Sequence, residues 1–319
     1  MSIVAEFARE LHEKSPSVKQ RTLRPLPWPA AGETVTNIRV LIFDVYGTML
    51  NYWRPQFGQE DSKNEVILEA FAKTISFFEM ESYLRDMDEE APPEKTLRDV
   101  YHGLIALKHQ LLREKDIMRP EVKIEEVWKA IALMLKRRGY TFLEKKFGTI
   151  DDGARCVAYY YNFHVFNRAL YPGVAGALDA LKKNNLLLGI VSNAQFYTPI
   201  DMTLLLRDQS NGRIEDMGEL FEHDLLFYSY EYNMAKPSRA LFRKLFDALY
   251  EYHVLPAQTL FVGNDLAADI MPAMEAGMKT ALFAGDDQCI FVGESDEVVP
   301  DMTFSQWDEL PKRVSFYDK

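Results

Sequence analysis

Asn37-Ile38-Arg39-Val40-Leu41-Ile42-Phe43-Asp44-Val45-Tyr46-Gly47-Thr48 runs from a near-continuous apolar segment into a carboxylate and then a glycine turn. An apolar run without polar alternation suits a strand buried on both faces, as in a parallel sheet covered by helices. Four later runs repeat the pattern, at 186–192, 225–230, 259–263 and 279–284. Between them lie amphipathic stretches. Residues 174–183 put Val174, Ala177, Leu178 and Leu181 on one face. The stretch after Pro237 gathers Leu241, Phe242, Leu245, Phe246 and Leu249 and leaves Arg239, Arg243, Lys244, Asp247 and Glu251 outside. Strands alternating with such helices give right-handed βαβ units, so the expected core is α/β: a doubly wound, Rossmann-like parallel sheet.

About 135 residues separate the first strand from the second, far more than one crossover needs. Their periodicity is helical, at 65–78, 97–115, 124–138 and 153–166. The expected organisation is therefore an N-terminal arm at 1–36, an α/β core at 37–50 and 170–319, and an inserted all-helical cap at 51–169. The arm is proline-rich from Ser15 to Thr36 and carries one short helix at 3–13. The acidic run 86–94 reads as a solvated loop.

The 37 basic and 48 acidic side chains leave a net charge of −11. Such a field repels phosphate backbones and anionic lipid surfaces, which argues against nucleic-acid and membrane partners. Cys156 and Cys289 form no Cys-x-x-Cys pair, so two buried, reduced thiols are expected instead of a zinc site or a disulfide framework. With no basic start followed by an apolar core and no apolar run of 18 residues, a cytoplasmic location is the expectation.

Ligands of open α/β sheets bind beyond the carboxyl ends of the strands. Those ends carry Asp44-Val45-Tyr46-Gly47-Thr48, then Ser192-Asn193, then Lys236, and finally Gly263-Asn264-Asp265 with Asp269. A nucleophile, a hydroxyl and amide clamp, a cation and a group of oxygen ligands should converge there. In this order and type the four motifs resemble those of the haloacid dehalogenase-like hydrolase superfamily, over residues 38–50 and 170–285. The helical insert sits where that family places its smaller cap.

The resemblance implies a small-molecule anionic substrate and an aspartyl nucleophile, Asp44, whose ester with substrate is later hydrolysed by water. Lys236 would neutralise charge beside it. Thr48, Ser192 and Asn193 would hold a phosphoryl or carboxylate oxygen, and Arg54, at the entrance to the cap with Tyr52 and Trp53, could clamp a carboxylate. Most phosphatases of the family carry a second aspartate where this chain has Tyr46, to protonate the leaving alkoxide. Tyrosine there looks like the 2-haloacid dehalogenase version, from which halide departs without a proton. Asp265 and Asp269 point the other way. Acidic ligands at the fourth strand end imply Mg²⁺, held around Asp44, Tyr46, Asp265 and Asp269, with Asp265 favoured over Asn264 as the primary ligand. The resulting expectation is a Mg²⁺-dependent phosphatase acting on a small phosphate ester. A 2-haloacid dehalogenase and a weakly catalytic binding protein of the same fold are the alternatives. The aromatic run 159–166 reads as core of the cap, with His164 packed inside it.

Overall fold

The computed structural model describes residues 2–15, 22–53, 60–291 and 298–316. Two compact units emerge. One joins Met1–Val18 to Tyr52–Arg168, and the other joins Lys19–Asn51 to Ala169–Lys319.

The second unit holds the sheet. The strands are β1 (Val35–Ile38), β2 (Val40–Phe43), β3 (Leu50–Trp53), β4 (Asn167–Leu170), β5 (Leu187–Ser192), β6 (Leu226–Tyr228), β7 (Thr259–Gly263), β8 (Lys279–Phe283), β9 (Met302–Phe304) and β10 (Val314–Phe316). Six of them form one sheet in the order β6-β5-β2-β7-β8-β9, parallel throughout. The chain winds outward from β2 through β5 to β6, then returns to β2's other side as β7. A doubly wound sheet opens its ligand crevice where the winding reverses, here between β2 and β7.

All four residues of β2 are buried, which explains the unbroken apolar run. Val40 and Ile42 face a cluster with Leu241, Leu245 and Phe261, so the apolar stripe of the helix Arg239–Glu251 covers that side. Phe43 faces the opposite way, against Phe221 and Trp307. The helix Val174–Lys183 forms as its periodicity predicts.

The segment 37–44 is not one strand. Asn37 takes a left-handed conformation (φ 66°), which Asn tolerates, inside β1 where the pairing register with β10 shifts. The two strands part at Arg39: residues 35–38 form β1, which leaves the main sheet to pair with β10, and residues 40–43 form β2. Part of the proline-rich segment lies along the core: Leu26 N–H donates to the Ala284 carbonyl, and Ala31 and Gly32 donate to those of Pro300 and Asp301.

The other unit is helical, with Glu60–Phe77, Pro93–Arg113, Ile124–Lys136 and Ile150–Val165 as its long members. The acidic run ends earlier than expected, because Pro93 starts a helix, a position where its missing N–H costs nothing. Residues 1–36 do not form one arm. The helix Ile3–Lys14 belongs to the helical unit, where Phe7 meets the rings of Phe77, Phe78, Phe147 and Tyr160 at 5.7–6.4 Å. Ring contacts at such distances favour burial of the helix face that carries Phe7. Among the described residues no helix is long and apolar enough to cross a membrane. Cys156 is buried as expected. Cys289 is only partly buried, and neither forms a disulfide.

Candidate active site

Because β2, β5 and β7 are in parallel register, with Phe43 opposite both Ile190 and Val262, their carboxyl ends deliver Asp44, Ser192 and Gly263 to one edge of the sheet. Gly47 lets the chain turn there. It has φ 85°, and a Cβ on it would overlap the Asn264 carboxamide.

Lys236 arrives from the loop after β6 and is the centre of the site. Its ammonium donates to Asp44 Oδ1 and to Asp269 Oδ1, each at 2.6 Å. All three side chains are buried, at 3% exposure for Lys236, 7% for Asp44 and 1% for Asp269. Burial alone would pull the Lys236 ammonium down, but the carboxylates of Asp269 and Asp44 outweigh it and hold its pKa above the ordinary lysine value. Burial pushes the Asp269 carboxyl up, against the pull of Lys236. The other oxygen of Asp269 accepts the backbone N–H groups of Asn264 and Asp265, at 3.2 and 3.1 Å. This close wrapping requires Gly263, since any Cβ there would overlap the Asp269 carboxylate.

Thr48 is buried with its hydroxyl 2.8 Å from Asn264 Oδ1 and 3.3 Å from Asp44 Oδ2. One hydroxyl carries one proton, and the shorter contact takes it. The Asn264 amide is oriented by its own donation to the Cys289 carbonyl, which turns Oδ1 toward Thr48. Ser192 is fully buried and its hydroxyl has no hydrogen-bond partner among the described residues. A buried hydroxyl without a partner at a strand end is the kind of group a ligand satisfies.

Several positions differ from expectation. Asn193 does not offer its carboxamide to a substrate: Oδ1 accepts the Lys236 N–H at 2.6 Å and Nδ2 faces the Lys236 carbonyl at 3.4 Å, so it fixes the lysine's backbone. Asp265 has one carboxylate oxygen engaged by local backbone. Its Oδ1 accepts the N–H groups of Ala267 and Ala268, which caps the helical turn Leu266–Ile270. The residue brought to Thr48 at this strand end is the neutral Asn264. Tyr46 places its phenol oxygen 2.9 Å from Thr198 Oγ1, a partner that sequence reasoning missed. A threonine opening a helix carries no motif of its own. Arg54 lies outside the described residues.

The donor set does not suit a resident Mg²⁺. Asp269 has both oxygens committed, Asp265 is turned into a cap, position 46 offers a phenol and position 264 an amide. Among the described residues no group of three or more His, Cys, Asp or Glu side chains converges. Mg²⁺ favours charged oxygen ligands, and Asp44 Oδ2 is the carboxylate oxygen of the triad that Lys236 and the backbone leave open.

Comparison with known proteins agrees with this architecture. Residues 38–277 match the family model of the haloacid dehalogenase-like hydrolases. The chain is 28% identical over 130 residues to glyceraldehyde 3-phosphate phosphatase of Pyrococcus furiosus, a match covering 41% of this chain and 48% of the relative. It therefore spans about half the length of that curated relative. Among solved structures, a 2-haloacid dehalogenase from Pseudomonas syringae pv. tomato DC3000 superposes with a TM-score of 0.51 at 17% identity, over 86% of this chain and 97% of that one. A HAD phosphatase from Thermococcus onnurineus gives a TM-score of 0.44 at 15% identity, over 86% of this chain and 97% of that one. At such identities the likeness is one of fold.

Proposed function

The chain belongs to the haloacid dehalogenase-like hydrolases, and from that membership and the site we propose that it hydrolyses a small anionic substrate through an ester on Asp44, releasing a leaving group that needs neither a proton nor a metal ion. A 2-haloacid is the substrate class that suits this best. The observation that carries the reading is the surroundings of Asp44: a phenol engaged with Thr198 at position 46, and a neutral amide at position 264.

An alkoxide leaving from a phosphate ester needs a general acid, whose loss costs about 10²–10⁴ in rate. Halide needs none. A carboxylate oxygen of Asp44 attacks C2 of the acid, the carbon–halogen bond breaks with its electron pair on the halide, and water then cleaves the ester to a 2-hydroxy acid and a proton. The Lys236 ammonium, 2.6 Å from Oδ1, holds the Asp44 carboxylate in place. The Ser192 hydroxyl, which none of the described residues engages, is available to the substrate's carboxylate.

The phosphatase reading retains one specific support, the likeness to the Pyrococcus furiosus phosphatase over part of the chain. Under that reading Mg²⁺ would meet Asp44 and the oxygen of Asn264. One panel separates the two: chloride release from 2-chloropropionate and phosphate release from small phosphate esters, each with Mg²⁺ and with chelator. Chloride release that survives chelator is the expected result. Chelator-sensitive phosphate release without chloride release would replace the dehalogenase reading.

A further inference from the structure

The loop that follows β8 brings the Cys289 carbonyl to Nδ2 of Asn264. A carbonyl can only accept, so it decides which way the carboxamide points: Nδ2 toward Cys289 and Oδ1 toward Thr48. The loop is held in turn by Asp286. The Asp286 backbone carbonyl accepts the N–H groups of Cys289 and Ile290 at 3.1 and 3.2 Å, and its Oδ1 accepts that of Gln288 at 3.2 Å. Its Oδ2 accepts the Tyr171 phenol at 2.7 Å, and both side chains are buried. Burial, with Cys289 and Asp286 alongside, pushes the Tyr171 pKa up, so the phenol keeps its proton and donates it. Tyr171 is also tied to the segment after Asp44, because its N–H donates to the Met49 carbonyl at 2.9 Å.

We propose that Tyr171 and Asp286 are positioning residues that, through the loop they anchor, keep the Thr48 hydroxyl proton on Asn264 and off the nucleophile. This rests on the reading of Asp44 as the attacking group, whichever substrate it attacks. Thr48 has one proton and two acceptors within reach, Asn264 Oδ1 at 2.8 Å and Asp44 Oδ2 at 3.3 Å. Lys236 occupies Asp44 Oδ1, which leaves Oδ2 to attack. A hydrogen bond to Oδ2 is strongest before attack, while that oxygen carries its charge, and weakens as the charge passes into the new bond. Such a bond holds the nucleophile back. With the carboxamide pinned by Cys289, Asn264 Oδ1 stays in place to take the Thr48 proton. A released carboxamide can turn Nδ2 to Thr48, whose hydroxyl then accepts from the amide and gives its proton to Asp44. Tyr171 and Asp286 thus act through the Cys289 carbonyl.

The test compares wild type with Tyr171→Phe, Asp286→Ala and Asp286→Asn, each alone and combined with Thr48→Val. The first readout needs no substrate. With ¹⁵N-labelled asparagine, the Asn264 carboxamide is assigned by its absence in Asn264→Ala. Its Cys289-bonded proton should lie downfield in wild type, move upfield in Tyr171→Phe and Asp286→Ala, and move only part of the way in Asp286→Asn. The second readout is kcat and KM for chloride release from 2-chloropropionate and phosphate release from small phosphate esters. Tyr171→Phe and Asp286→Ala should lower kcat about 10-fold with little change in KM, as expected for one hydrogen bond gained by a charged group. In the Thr48→Val background the same changes should lower kcat no further, because no hydroxyl remains to engage Asp44. A merely structural loosening would lower kcat equally in both backgrounds, and that result overturns the inference. An unmoved Asn264 resonance, or a wild-type kcat, in folded Tyr171→Phe and Asp286→Ala overturns it as well. If the wild type turns over neither substrate class but the resonance moves as described, the anchoring stands while the reading of Asp44 as nucleophile falls. Should Tyr171→Phe and Asp286→Ala not fold, Asp286→Asn decides, since an unmoved resonance in that variant overturns the anchoring.

Discussion

Replacing Lys236 by methionine keeps most of the side-chain volume and removes the ammonium that sits 2.6 Å from both Asp44 and Asp269. The triad of two carboxylates and one cation would go from one net negative charge to two. Both carboxylates are at least nine-tenths buried, so water cannot screen the change. Removing one partner from a buried ion pair costs roughly 3–5 kcal/mol, and here two pairs are lost at once. At about 2–4 °C per kcal/mol for a body of this size, the melting temperature should fall by roughly 6–20 °C at pH 8. Facing carboxylates raise each other's pKa, so the folded variant holds a proton that the unfolded chain has released. A raised carboxyl pKa contributes stability at low pH that is lost as pH rises through the folded value. The deficit should therefore shrink between pH 8 and pH 5. In the wild type the sign is opposite in origin: the Lys236 pKa is raised, so its contribution is complete below the unfolded value of 10.5 and disappears only as pH rises past the folded one. Calorimetric melts across pH 5–9 make the measurement, with Lys236→Met/Asp269→Asn as the companion. The companion restores one net negative charge and should recover much of the stability without recovering turnover. A single variant melting within about 2 °C of wild type at pH 8, with no dependence on pH, would refute the charge argument.

Asp44→Asn should lower turnover by at least about 10³-fold, as loss of a nucleophile does. Its melting temperature should not fall, because one carboxylate still faces Lys236. Asp265→Ala should cost about 1 kcal/mol through loss of a helix cap, and chelator should affect mutant and wild type alike. A large, Mg²⁺-reversible loss of activity in Asp265→Ala would return that residue to the metal-ligand role. In the helical unit, burial lowers the His164 pKa to about 4, helped by Lys73 and Arg168 and opposed by Glu69. The unfolded chain takes up this proton near pH 6.5 and the folded chain only near 4, so stability should fall as pH drops through that window. His164→Phe should flatten the dependence in thermal melts.

The core was legible because parallel strands covered on both faces must be apolar at every position, and β5 and β7 show that pattern within a residue of the observed bounds. The edge was less so. β9 has only three residues, too short for any periodicity to register. The division at Arg39 was hidden for another reason: one intervening residue separates two strands without breaking the hydrophobic pattern around it. In the site, Asp44, Lys236 and Asp269 stood out because charged side chains at strand ends have few other uses. The assignments of Asn193 and Asp265 could not be read in the same way. Both sit in tight turns, where a short polar side chain can satisfy the local backbone as readily as a ligand, and only side-chain direction tells which. Arg54 lies outside the described residues.

The placement of Ile3–Lys14 bears on how this protein could be taken apart. The chain passes between its two units three times, once in the segment after that helix and again near residues 51 and 168. Excising 52–168 and rejoining the ends would not yield a clean hydrolase body, because it would strand Phe7 without the rings it packs on. Grafting that same stretch onto another scaffold would carry a vacant apolar seam with it. A transplant would have to be assembled from two pieces, with residues 2–15 supplied as a separate peptide. The same division makes the N-terminal helix a natural fragment for split-protein complementation, in which reassembly would report on the integrity of the helical unit alone.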